Sequence, residues 1–195
     1  MLKLKMKTDA KWAELAEGNI EEILTDHAFC EQKAASNAIS FIVKFPEYTE
    51  LVSTMVDLAR EELEHFQMAH NKLIEKGFVL GRERKDDYVN ELLKYFPKGG
   101  SRTNQLVERL LVSAMIEARS CERFKTLSEN IKDQEMAKFY FELMKSEAGH
   151  YAMFIRLAKQ YGEPEGIDVN EKWEDFLAFE GELISRYGQK VHIHG

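Results

Sequence analysis

Four stretches of this chain carry the same kind of helical seam, and each seam is interrupted by an acid. From Leu51 to Leu73, apolar residues recur at alternating spacings of four and three: Leu51, Met55, Leu58, Ala69 and Leu73, with Glu62 and His65 in register among them. That spacing keeps every member on the helix face that a bundle turns inward. The pattern returns at Met136, Tyr140, Leu143, Phe154, Leu157 and Tyr161, again with a Glu and a His three apart, Glu147 and His150. Leu24, Ala28, Ala35, Ala38, Ile42 and Phe45 form a seam holding Glu31; Val107, Leu110, Ala114, Cys121 and Phe124 form one holding Glu117. A lone acid on such a seam is usually a boundary residue, and a lone histidine a satisfied core residue. Here the six fall in the order Glu, Glu-x-x-His, Glu, Glu-x-x-His, and burying that many carboxylates without counter-charge is costly.

The breaks between seams set the topology. Phe45-Pro46 closes the first long run, because the residue before proline is driven out of the α region. A second run, from about Glu47 to Lys76, stops at Gly77. The third spans about Asn104 to Glu129, and the fourth runs from Gln134 to Tyr161, before Gly162-Glu163-Pro164. Between them, residues 77–102 form a crossover with a short helix over Tyr88–Phe96. Thr8 and Asp9 cap a short first helix ending at Glu17, and a last helix covers Glu171–Tyr187. The 195 residues include only 3 prolines and 11 glycines, and no strand-period alternation occurs. The predicted fold is all-α: a ferritin-like four-helix bundle of two tight hairpins, joined by a long crossover between the second and third long helices, with short flanking helices. One domain over residues 1–195 is expected, its core bundle at about 19–161.

Composition narrows the function. With 27 basic against 34 acidic residues, for a net charge of -7, the chain is no indiscriminate nucleic-acid binder, although a local basic face is compatible with that balance. No apolar run approaches the roughly 20 residues of a membrane span. The segment from Met1 to Lys7 lacks a signal peptide's apolar core and cleavage site, so a cytoplasmic protein is expected. Cys30 and Cys121 are too few for a disulfide scaffold or a four-cysteine iron site and read as small core residues.

Charge compensation turns the six seam residues into a metal-site hypothesis: two divalent ions balance four carboxylates while the imidazoles stay neutral. The i,i+3 spacing serves this, since one helical turn brings carboxylate and imidazole to the same ion. Hairpin geometry provides a separate check. Glu31 and Glu62 stand at nearly equal distances either side of Pro46, and Glu117 and Glu147 at equal distances either side of Lys132, so both pairs are level. The rival on the third long helix is Glu122. It is five residues from Glu117, a rotation of about 140° and a shift of about 7.5 Å, which takes it off the seam toward Lys125 and Glu129. Glu117 is therefore the expected ligand. His27, one turn before Glu31, reads as a packing histidine or as a donor to that acid. The terminal His192 and His194 read as part of a mobile tail.

The blocks Asp26-His27-Ala28-Phe29-Cys30-Glu31-Gln32-Lys33-Ala34-Ala35, Arg60-Glu61-Glu62-Leu63-Glu64-His65-Phe66, Ile116-Glu117-Ala118-Arg119-Ser120-Cys121-Glu122-Arg123-Phe124 and Ser146-Glu147-Ala148-Gly149-His150-Tyr151 resemble the tRNA 2-methylthio-N6-isopentenyladenosine hydroxylase family. The resemblance covers about residues 10–195. It implies a non-haem di-iron monooxygenase that uses two iron ions, dioxygen and electrons from an unidentified donor to hydroxylate the isopentenyl group of a modified adenosine beside the tRNA anticodon. The implied iron ligands are Glu31, Glu62, His65, Glu117, Glu147 and His150. A monomer is expected. The alternative is a rubrerythrin- or ferritin-like protein that handles iron or peroxide.

Cationic residues crowd two places, Lys3, Lys5, Lys7 and Lys11 at the N-terminus and Arg82, Arg84, Lys85, Lys94, Lys98 and Arg102 in the crossover. Arg82, Arg84, Lys85 and Arg102 are the candidate contacts to tRNA phosphates, with ordinary solvated side chains as the plainer reading. Tyr88, Tyr95 and Phe96 read either as a stacking platform for an extruded base or as anchors of the short helix.

Overall fold

The computed structural model describes residues 2–187 and 190–194. Among them the elements run α1 (Lys11–Glu17), α2 (Ile20–Lys44), α3 (Thr49–Glu75), α4 (Asp87–Leu92), α5 (Arg102–Asn130), α6 (Gln134–Gly162), a 3-10 turn at Glu163–Glu165, and α7 (Val169–Tyr187); no strand occurs among the described residues. None of these helices is long and apolar enough to cross a membrane. The chain gathers into two compact units, one made of residues 18–85 with 191–193, the other of the N-terminal segment with residues 86–187, Lys190 and His194.

The first unit is the α2–α3 hairpin. All seven expected seam positions of α3, from Leu51 to Leu73, are buried. On α2 the seam runs Leu24, Ala28, Glu31, Ala35, Ala38, Phe41 and Phe45, all buried, while the expected Ile42 is only half-buried. Two successive steps of three, Ala35 to Ala38 to Phe41, carry the buried face about 100° round the helix from Ile42 as α2 nears its closing turn. The Phe45 amide donates to Phe41 O at 2.8 Å, and its ring packs 6.2 Å from Phe41, closing α2 before Pro46. Gly77 ends α3 at φ +80, where its amide donates to Ile74 O and that of Phe78 to Leu73 O, both at 2.9 Å. This paired closure needs the left-handed conformation that glycine adopts without strain. Ile193 is fully buried here, its amide donating to Asp26 Oδ2 at 2.8 Å.

The second unit is built around the α5–α6 hairpin. Ser101 caps α5 by accepting from the Asn104 amide, and Asp133 caps α6 by accepting from those of Glu135 and Met136. The end of α1 clamps the turn between them, with Glu17 Oε1 accepting from the amides of Lys132 and Asp133. Burial of α5 extends far beyond its single predicted seam. Val112, Met115, Arg119, Arg123 and Leu127 are also buried, because α1 and α7 pack on the side away from the Glu117 seam. One ionic network joins these layers. Arg119 donates through Nε and Nη2 to Glu180 Oε1 on α7, at 2.9 and 2.6 Å, and Tyr88 Oη on α4 donates to the same oxygen. Burial, and then Glu180, hold the Tyr88 phenol well above its usual pKa.

The short crossover helix is Asp87–Leu92, not the expected Tyr88–Phe96. Beyond Leu92 the amides of Lys94 and Tyr95 turn back to carbonyls three residues earlier, and Pro97 prevents an α-helical continuation. His194 is docked as well, Nε2 being 2.7 Å from Ser120 Oγ and Nδ1 3.1 Å from Asp86 Oδ2. The expected mobile tail is therefore packed at Ile193 and His194, held by hydrogen bonds that the apolar pattern does not encode; Gly195 lies outside the described residues.

Candidate metal centre

On the α2–α3 hairpin, Glu31, Glu62 and His65 are all buried, and one ligand atom from each lies within 4.8 Å of the others. The hairpin turn at Pro46 makes this possible by bringing the two acids level. One turn of α3 then sets His65 Nδ1 3.3 Å from Glu62 Oε2. Of the flanking acids, Glu61 reaches to 3.9 Å from His65 Nε2 and stays about half exposed.

Glu31 has a further partner. His27, fully buried one turn earlier, places Nε2 2.6 Å from Glu31 Oε1. Against an ionised carboxylate the imidazole N–H must be the donor. Of the two readings its spacing allowed, His27 is thus the donor, leaving the second Glu31 oxygen for other work.

On the α5–α6 hairpin, Glu117, Glu147 and His150 are also buried. A Glu117 oxygen lies within 4.8 Å of a His150 nitrogen, and His150 Nδ1 is 3.9 Å from Glu147 Oε2. Glu122 takes no part in this set. Its oxygens accept from the Thr8 amide at 2.8 Å, Thr8 Oγ1 at 2.6 Å and Arg119 Nη1 at 3.0 Å, so it anchors the N-terminal segment. Off the metal-facing seam as expected, it is part-buried in that network. Cys121, on the same seam as Glu117, donates to Met144 O at 3.3 Å, and burial, reinforced by Glu122, pushes its thiol up to about 11.

Each hairpin thus carries two buried carboxylates and a buried imidazole, a donor set that could hold a divalent ion. Carboxylate-rich sites with some imidazole suit iron or manganese, whereas thiolate-rich sites select softer or more thiophilic metals. The residues fit such ions by chemistry and by the charge they need balanced.

The predicted RNA-contacting residues fall out differently. Arg84 is held by Glu22, by Asp26 at 3.9 Å and by Val191 O at 3.2 Å, so its guanidinium serves the fold. Arg82 and Lys85 are exposed on the loop before α4, and Arg102 is exposed at the first turn of α5. Lys3 and Lys5 both pair with Glu174. Tyr88 is buried, while Tyr95 and Phe96 pack on Phe176 at ring distances of 4.8 and 5.0 Å, which makes them anchors of the crossover.

An all-α chain whose helical seams bury Glu and Glu-x-x-His sets belongs to the ferritin-like carboxylate proteins. Among these, it belongs to the tRNA-(MS[2]IO[6]A)-hydroxylase (MiaE) family, whose model matches residues 2–195. It is 37% identical over 187 residues to the tRNA 2-(methylsulfanyl)-N(6)-isopentenyladenosine(37) hydroxylase of Pseudomonas putida, covering 96% of this chain and 89% of that one. A protein of the same name from Salmonella typhimurium is 26% identical over 226 residues, covering 90% and 80%. Among solved structures, protein 43 with aldehyde deformylating oxygenase activity from Synechococcus matches with a TM-score of 0.88 and 30% identity, over 98% of this chain and 95% of that one.

Proposed function

We propose that this chain is a cytoplasmic, oxygen-dependent di-iron hydroxylase acting on the isopentenyl group of 2-methylthio-N6-isopentenyladenosine in tRNA. The observation that carries the reading is family membership over nearly the whole chain together with the burial of all six acids and histidines of the Glu, Glu-x-x-His pattern. The likeness to an aldehyde deformylating oxygenase supports oxygen chemistry on this fold; the sequence family supports the nucleoside as substrate.

In this reading Glu31, Glu62, His65, Glu117, Glu147 and His150 hold two iron ions. Bound iron would supply the redox chemistry for inserting oxygen into a non-acidic allylic C–H bond, which acid–base side chains cannot do. The protein's own residues do the rest. His27 fixes one oxygen of Glu31, the i,i+3 spacing sets each imidazole beside its acid, and apolar neighbours such as Ala28, Ala35, Leu58 and Ala114 keep the region dry. The reaction balances as one C–H bond and one dioxygen, with two electrons and two protons from outside, giving one alcohol and one water. A separate reductant must therefore serve as electron donor. Exposed Arg82, Lys85 and Arg102 are proposed contacts to the tRNA backbone.

The test is nucleoside mass spectrometry of tRNA from cells with and without the gene. The reading predicts that the hydroxylated nucleoside disappears and its prenylated precursor accumulates when the gene is removed. An unchanged nucleoside profile would overturn it.

A further inference from the structure

Arg123 is 1% exposed, and a buried guanidinium ordinarily has a carboxylate beside it. This one has none. Its Cζ lies 4.2 Å from the centre of the Trp12 ring, which covers one face, and its Nε and Nη1 have no hydrogen-bond partner among the described residues. The nearby acids are committed elsewhere, Glu122 to Thr8 and Arg119, and Glu180 to Arg119 and Tyr88. Burial, and Arg119 one turn away, push the Arg123 guanidinium down to about 10.

The side chain lines a cleft of about 490 Å³ between the N-terminal segment and the end of α7. Lys7, Arg186 and Lys190 also line it, all three exposed, with Tyr187 on the same wall. Asp9 is the one carboxylate among the lining residues, and its Oδ1 is turned to the Lys11 amide at 2.9 Å. In a chain of net charge -7, four cations round one cleft against one committed acid form a local concentration of positive charge. An anion seated there would give Arg123 its missing counter-charge, with the planar, forked donors that match a phosphate.

We infer that this cleft binds a backbone phosphate of the RNA substrate, with Arg123 as the buried anchor and Lys7, Arg186 and Lys190 as the rim. The inference rests on the tRNA reading above and gives that substrate a further place of contact, in addition to the crossover cations. A phosphate contact of this kind fixes register without reading sequence.

The experiment measures affinity of the full iron-loaded chain for an anticodon stem-loop RNA carrying isopentenyladenosine, across a range of salt. Lys7→Glu with Arg186→Glu alters exposed rim positions and should leave folding and iron content intact. It should weaken binding by about 10-fold or more and flatten the dependence of log affinity on log salt by about 1–2. Arg123→Gln should act in the same direction. Lys132→Glu with Lys138→Glu, an equal change in net charge outside the cleft, should cost less than about 3-fold. Equal losses from rim and control pairs would overturn the inference, as would a rim pair with unchanged affinity and salt slope. Inorganic phosphate is the second probe: if it raises the melting temperature only when Arg123 is present, while the rim pair leaves RNA affinity unchanged, the cleft takes free anions and the inference fails. Turnover of the unmodified chain separates the two levels. A chain that hydroxylates tRNA but ignores the rim substitutions defeats the inference alone, and one that neither binds nor hydroxylates prenylated RNA defeats the functional reading as well.

Discussion

His27 and Glu31 lie one turn apart on α2, and the fully buried imidazole brings Nε2 to 2.6 Å from Glu31 Oε1. A hydrogen bond this direct orients the carboxylate before any metal arrives. His27→Ala should therefore weaken iron binding by about 10–100-fold, with the chain still folded, because the Glu31 carboxylate becomes free to rotate. His27→Gln, which keeps a donor, should recover part of the loss. Anaerobic iron titration followed by circular dichroism checks both; equal iron affinity in all three proteins would show that the hydrogen bond does not position the ligand.

Glu117 and Glu122 make a paired prediction on α5. Glu117→Ala should remove iron, since Glu117 faces His150, whereas Glu122→Ala should retain iron and release the N-terminal segment that Thr8 ties down. Metal analysis reads the first effect, and limited proteolysis near Thr8 the second. Loss of iron from Glu122→Ala alone, in a folded protein, would reverse the assignment.

The buried Arg119–Glu180 pair predicts a stability effect away from the metal. Both side chains are fully buried, and Glu180 accepts from Arg119 and Tyr88 together. Glu180→Ala strands Arg119 Nε and Nη2 and the Tyr88 hydroxyl without their acceptor and leaves Arg119 only Glu122 as counter-charge, so the chain should lose about 3 kcal/mol of stability. Urea unfolding measures this, and a loss below about 1 kcal/mol would mean that the network is not held in solution.

Cys121 gives a pH signature. Its thiol is held at about 11 against an ordinary 9.0, so the unfolded chain releases this proton first as pH rises. The associated stability is complete below about pH 9 and declines toward pH 11. At mildly alkaline pH the buried thiol should carry about 100-fold less thiolate than an ordinary cysteine and alkylate correspondingly slowly. Rapid alkylation of Cys121 in the folded protein would contradict its burial.

The fold and the six acids and histidines were readable because each obeys one periodicity: helix spacing places them on a face, and hairpin arithmetic sets them level. What escaped was encoded in single polar contacts. His27 carries no pattern that distinguishes a donor from a packing histidine. Arg119 and Arg123 occupy a second buried face of α5, but charged residues four apart read as a solvated stripe until α1 and α7 are seen to cover them. A clue did exist: Val112, Met115 and Leu127 continue that face in register. The docked Ile193 and His194 depend on hydrogen bonds to Asp26, Ser120 and Asp86, positions remote in sequence.

The most direct test of the account supplies reduced, iron-loaded protein with isotopically labelled dioxygen, a chemical reductant and tRNA carrying the isopentenylated adenosine, then weighs the nucleosides. The account predicts one labelled oxygen atom in the isopentenyl group, and none when His65 or Glu147 is replaced by alanine, although those variants still bind the tRNA. Absence of any oxidised nucleoside from the unmodified protein, with peroxide consumed rapidly in its place, would contradict it.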